Sequence, residues 1–231
     1  MEKLSRCLKP LILCTLGFMV ACSSAPNVDY IKTVPREERK GLAVFNFVNT
    51  SPAAIAEQYQ PWALGIPAML MTDLESIGLF NIVSRERFSD IVKEQQLQAS
   101  GLVDPETAVQ MGKLIAAHYI LTGSFSVMED RMRIETNVYS VESGVQLGAA
   151  SVEGTTTKFF LLEKHLVIKV TSYLEAMLSD DDVSRLSSNV GTRSIQASLN
   201  NYAGEIWLLE AKNLKNKGRT KQADSARESA K

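Results

Sequence analysis

The chain has 231 residues, 45% of them hydrophobic, and its 25 basic and 26 acidic residues leave a net charge of −1. That is enough apolar material for a real core, and the absence of a basic excess leaves nucleic acid binding without an electrostatic footprint. Cys7, Cys14 and Cys22 are the only cysteines, so no disulfide framework can staple the rest of the chain.

Lys3, Arg6 and Lys9 precede a continuous apolar stretch from Leu11 to Ala21. This is the pattern of a secretory signal, and it is shorter than the roughly 20 apolar residues a membrane span needs. Met19-Val20-Ala21-Cys22 resembles the lipobox of bacterial lipoproteins, with a small residue before the cysteine that takes the lipid. The resemblance implies a signal peptide over 1–21 and lipid attachment at Cys22. Ser23, where Asp would mark inner-membrane retention, implies an outer-membrane anchor with the protein facing the periplasm. Removing residues 1–21 leaves 210 residues, 22 basic and 25 acidic, for a net charge of −3. That length is one domain, or one with a small appendage. Residues 22–40, with Pro26, Pro35 and the charged run Arg36 to Lys40, read as a tether. Its 18 residues after Cys22 reach at most about 60 Å.

Gly41 to Val48 predicts a strand, near-continuously apolar through Val44, Phe45, Phe47 and Val48, as a strand covered on both faces should be. Thr50-Ser51-Pro52 ends it. Pro61 to Ile77 predicts a helix with Ile66, Leu70, Leu74 and Ile77 on one face, stopped by Gly78. Leu79 to Val83 is a second strand, and Arg85 to Gln96 a helix turning Phe88, Ile91 and Val92 inward. Asp104-Pro105-Glu106 is a helix start, with a cap, a proline in the first turn and an acid at the positive end of the dipole. That helix carries Val109, Leu114 and Ile115 to about Ala117.

Three strands follow. His118 to Val127 puts Tyr119, Leu121, Phe125 and Val127 on one face. After a turn at Glu129-Asp130, Arg131 to Val141 alternates Met132, Ile134, Thr136 and Val138 with Arg131, Arg133, Glu135 and Asn137. One face is then buried and the other wet, as in an antiparallel sheet. Ser143-Gly144 turns the chain into a return strand, Val145 to about Val152. Phe160 to Leu178 predicts a long helix with Leu162, Leu166, Val170, Tyr173, Leu174 and Met177 along one face. The order predicts an α/β fold, a mixed β-sheet covered by helices over residues 41–178.

Residues 179–231 differ in character. Ser179 to Asp182 begins a polar segment, and Ile195, Leu199, Tyr202, Ile206 and Leu209 define an amphipathic helix. Gly218, Ala223 and Ala230 sit at the offsets of a tetratricopeptide turn and second helix. A single such unit cannot stack on itself, so this extension reads as a C-terminal helical hairpin packed on the domain. A solvated, frayed terminus is the alternative.

No catalytic constellation stands out, and no cofactor is implied. His118 and His165 have no partner at metal spacing, so zinc is not expected. There is no Walker-type loop and no Gly-x-Ser-x-Gly elbow. Asp180-Asp181-Asp182 lacks the spaced ligands of a calcium loop and reads as a solvated helix start. Glu129-Asp130 is explained by its turn. Trp62 and Trp207 read as core or interface residues.

Residues Leu64 to Gly154 resemble the CsgG family, named after the curli secretion channel lipoprotein. The segments that carry this are Gly65 to Leu70 with Asp73-Leu74, Gly78 to Glu86, Gln95 to Asp104, Gly112 to Ala117, Ile120 to Ser124, and Ser143-Gly144. The resemblance extends to related periplasmic lipoproteins, including LpoB-like activators of peptidoglycan synthases and FlgO-like proteins. It implies a non-enzymatic, outer-membrane-anchored component that binds or scaffolds in envelope assembly or secretion. Periplasmic or outer-membrane protein partners and a homo-oligomer are implied with it. A regulator docking on a peptidoglycan synthase is the competing implication. The secretion channel's two membrane hairpins would fall at Met128-Glu129-Asp130 and at Glu153 to Lys158. A barrel strand needs about 9–11 residues, so neither position has room for a hairpin.

Overall fold

The structure, a computed structural model, describes residues 34–84, 104–174, 178–188 and 194–231, all within one compact unit, Ile31–Lys231. The predicted signal peptide, Cys22, most of the tether, the predicted helix over 85–96 and Met177 lie outside the described residues.

Strand β1 (Lys40–Asn49) lies inside the sheet, with a strand paired on each side. It leads through α1 (Ala53–Tyr59) and α2 (Trp62–Ile77) to β2 (Phe80–Ile82). Helix α3 (Pro105–Leu114) precedes the meander β3 (Tyr119–Met128), β4 (Arg131–Ser140) and β5 (Gln146–Thr155). Helix α4 (Phe159–Tyr173) follows, then α5 (Asp180–Ser188), α6 (Ile195–Asn216) and α7 (Thr220–Ser229). The sheet order is β2-β1-β3-β4-β5, parallel across the first three strands and antiparallel across the rest. It is a mixed sheet in an α/β fold with a helical C-terminal region.

β1 has no wet face because helices cover both sides. Leu42, Val44 and Phe47 join the larger core with α2 and α4, while Ala43 and Phe45 join a smaller one with Met111 and Ile115 near α3. A register shift between Val44 and Phe47 breaks the strand's period of two. Asn46 falls at that irregularity and is exposed, and Phe47 returns to the face of Val44. β4 alternates as predicted from Arg131 to Thr136, with Met132, Ile134 and Thr136 buried and Arg131, Arg133 and Glu135 exposed. Val138 is buried as expected, but Asn137, expected on the wet face, is half-buried and Tyr139 beyond it is buried.

α2 follows its predicted stripe, with Ile66, Leu70, Leu74 and Ile77 buried. Gly78, at φ 76°, closes the helix in the left-handed region that side chains avoid. α3 is capped by Asp104, whose side chain accepts from the Thr107 N–H.

The elements depart from expectation in five places. α1 was not predicted; it begins directly after Pro52, where a strand terminator is equally a helix opener. α3 stops at Leu114 rather than Ala117, because Ala116 adopts a positive φ of 55°. Leu114, expected inward, is 47% exposed, while Ile115 behind it is buried. β5 continues through Thr155, since its partner β4 extends back to Arg131 and offers a ladder that far. α4 ends at Tyr173 rather than Leu178. The polar segment after Ser179 holds helix α5, started by a reciprocal cap in which Ser179 Oγ accepts from the Asp182 N–H and Asp182 Oδ2 accepts from the Ser179 N–H.

The C-terminal helices are seated on the same core. Leu186 of α5 and Leu199 of α6 belong to the larger core cluster, and α7 folds back on α6 with Ala223 and Ala226 buried. Gly65 makes this possible: a Cβ there would lie 2.5 Å from the Tyr202 ring of α6.

Candidate functional site

Two features of this architecture stand apart from simple packing, and both are built on α2. The first is a buried ionic seam between α2 and α4. Asp73 faces inward from α2, and Glu163 and Lys164 from α4, with residue exposures of 2%, 1% and 7%. Lys164 Nζ donates to Asp73 Oδ2 and lies 3.2 Å from Glu163 Oε2. Neither Glu163 oxygen accepts a hydrogen bond from another group. Two carboxyls thus share one ammonium out of water, where an extra charge is costly. Burial, and then the neighbouring Asp73 carboxylate, push the Glu163 carboxyl up to about 8 despite Lys164. At neutral pH Glu163 therefore holds a proton. Burial alone would lower the Lys164 ammonium, but Glu163 and Asp73 more than offset it and hold it above its ordinary value.

The second feature is an open groove on the outer side of α2, about 640 Å³ in volume. α2 contributes Met71, Thr72 and Glu75; the end of β2 gives Ile82; α6 gives Leu208 and Lys212. An apolar floor with a polar rim is the usual lining of a binding cleft. Leu208 and neighbouring Leu209 are 52% and 45% exposed. The groove exists because α6 runs beside α2: Trp62 Nε1 donates to Ser198 Oγ at 3.4 Å, and Tyr202 lies over Gly65.

The sequence-predicted candidates are scattered rather than gathered. Cys22 lies outside the described residues. His118 Nδ1 accepts from the Gly41 N–H at 2.9 Å and helps join β3 to β1, while His165 is exposed on α4. Glu129-Asp130 is the two-residue turn between β3 and β4, with Glu129 at φ 56°. Asp180, Asp181 and Asp182 open α5. Trp62 is fully buried and stacks on Phe159 at 4.2 Å between ring centroids, whereas Trp207 is 41% exposed. Among the described residues no group of three His, Cys, Asp or Glu side chains could hold a metal ion. Among them too, no helix is long and apolar enough to cross a membrane.

The seam had a signal in the sequence that the reading above missed. Phe159, Leu162, Glu163, Leu166, Val167 and Val170 form one buried stripe on α4, with the glutamate at a core position. Asp73 sits likewise between Leu70 and Leu74.

The family model described as the curli production assembly/transport component CsgG matches residues 25–157. Among solved structures, the LpoB C-terminal domain from Salmonella enterica is similar at 18% identity, over 51% of this chain and 83% of that one, with a TM-score of 0.36. A PelC dodecamer from Paraburkholderia phytofirmans is similar at 15% identity, over 64% and 94% of the two chains, with a TM-score of 0.39. No curated protein matches the chain.

Proposed function

The chain belongs to the CsgG family, and from that membership we propose that it is an envelope lipoprotein that binds or scaffolds other proteins and is not itself a pore. Lipid on Cys22 anchors it to the outer membrane, with the domain facing the periplasm. Its work is non-enzymatic, in envelope assembly or secretion, through periplasmic or outer-membrane protein partners or through copies of itself. The α2–α6 groove is where a partner segment would lie.

The observation that carries the non-pore part is the pair of connections around the antiparallel strands. β3 passes to β4 through Glu129-Asp130 alone, and β5 reaches α4 through the single 3₁₀ turn Thr156–Lys158. A membrane barrel needs strands of about 9–11 residues with an apolar outward face. β3, β4 and β5 are already committed to the domain's own sheet, and β4 turns Arg131, Arg133 and Glu135 to its open side. Planar-bilayer recording on the purified protein tests this. No channel events are expected, and reproducible ion conductance would overturn the non-pore reading.

A further inference from the structure

Charge is unevenly placed along this chain. Residues 212–231 hold seven basic and two acidic residues, leaving 18 basic and 24 acidic in the other 211. Five of the seven, Lys212, Lys215, Lys217, Arg219 and Lys221, bracket the α6–α7 turn, and every one is exposed. None forms an ion pair with a described residue. No acidic residue falls between Glu210 and Asp224.

The turn's position follows from the packing of α6. Ser198 meets Trp62 and Tyr202 meets Gly65, while Leu208 and Lys212 share the groove with Met71 and Glu75. The two helices therefore run side by side in the same direction. α2 ends at Gly78 and leads into β2, whose first residue, Phe80, pairs with Lys40, the first residue of β1. The chain ahead of β1 is held at this same end, where Asn81 Nδ2 donates to the Arg36 carbonyl at 2.8 Å. The C-terminal end of α6 and its basic turn thus lie at the end of the sheet from which the chain runs back towards Cys22.

We propose that the α6–α7 turn is a second membrane contact, binding the anionic headgroups of a phospholipid surface. The choice of a bilayer over a soluble polyanion rests on the anchored reading above. A tether of 18 residues after Cys22 keeps the domain within about 60 Å of the surface. Clustered cations there act at high effective concentration. The contact would set one end of the domain against the membrane and turn the opposite end away.

Vesicle cosedimentation of unlipidated protein tests the contact apart from the anchor. The described core lies wholly after residue 33, so a chain starting at residue 22 with Cys22→Ala retains it. It should sediment with vesicles of phosphatidylglycerol in phosphatidylcholine at about 0.1 M salt, and not with phosphatidylcholine alone. Each basic residue near an anionic surface is worth roughly fivefold in partitioning. Lys215→Gln, Lys217→Gln and Lys221→Gln together should therefore weaken binding about a hundredfold with an unchanged helical circular-dichroism signal. Lys158→Gln, beyond the far end of β5, should leave binding within about twofold. Three results would overturn the proposal: no sedimentation of the parent chain, equal binding by the triple variant, or tighter binding to soluble dextran sulfate than to the vesicles. Palmitate labelling of Cys22 reports separately on the anchor, so its failure is distinguishable from failure of the turn.

Discussion

The Glu163 proton should make this fold weaken as pH rises across neutrality, and a single substitution should abolish the effect. In the unfolded chain Glu163 ionises near 4.5; in the folded seam it holds its proton to about 8. Between those values the folded state binds the extra proton. The stabilising contribution is fully present below pH 4.5 and is lost as pH rises through 8. One pH unit across a single such group is worth about 1.4 kcal/mol. Moving from about pH 5 to about pH 7 should then cost on the order of 3 kcal/mol, a large fraction of a domain's stability. Glu163→Gln keeps a donor for Asp73 and cannot ionise, so its stability should be nearly flat over the same range. It should exceed the parent at pH 7 by an amount of the same order. Urea unfolding at several pH values, followed by circular dichroism, measures both slopes. A parent stability that rises from pH 5 to pH 8, or an equal slope in the variant, would refute the assignment of the proton.

Four further outcomes follow from the same structure. Lys164→Met leaves Asp73 buried beside Glu163 without its ammonium and should destabilise by about 3–5 kcal/mol in denaturant titration. Ile134→Ala, fully buried in β4, should cost about 2–5 kcal/mol, against about 0.5 kcal/mol or less for exposed Arg133→Ala; equal costs would contradict the assigned faces. Gly65→Val drives a side chain into the Tyr202 ring and should cost about 1–3 kcal/mol, with faster proteolysis within α6 if the hairpin is displaced. Cys22→Ala should block palmitate incorporation and remove the protein from the outer-membrane fraction, and wild-type labelling of that variant would end the lipoprotein reading.

How much of this was legible depends on how local the cause is. The first part of β4, Arg131 to Thr136, could be read residue by residue, because an antiparallel strand with one wet face writes its burial as alternation. The Asp104 cap and the Gly78 stop were equally plain, since each satisfies a local backbone need. Leu114 was misplaced because an apolar residue is not thereby a buried one. The seam was half legible: Asp73 and Glu163 stand in apolar stripes, but their meeting depends on α2 and α4 packing side by side. The groove was not legible at all. Met71 and Ile82 come from the consecutive elements α2 and β2, but Leu208 comes from α6, far later in the chain, and nothing in their local pattern announces a shared cleft.

A net charge of −1 does not decide against an anionic partner, because net charge is the wrong quantity at physiological ionic strength. Screening confines each charge to a neighbourhood of about 8 Å, so what a surface presents is its local balance. On the open side of the sheet that balance is nearly zero. Arg131 pairs with Glu153 at 2.7 Å and Arg133 with Glu135 at 2.6 Å, all four about half exposed. Such pairs contribute little to stability, yet they cancel the field of the face that carries them. The α6–α7 turn carries five cations within ten residues, none in an ion pair with a described residue, and the run itself contains no acidic residue. Helix geometry sharpens the contrast, because Lys212 and Lys215 lie three residues apart on one side of α6 and Gly218 turns the chain so that Arg219 and Lys221 follow close by. A chain slightly acidic as a whole therefore still presents, among its described residues, a concentrated cationic point at the end of the sheet where β1 begins.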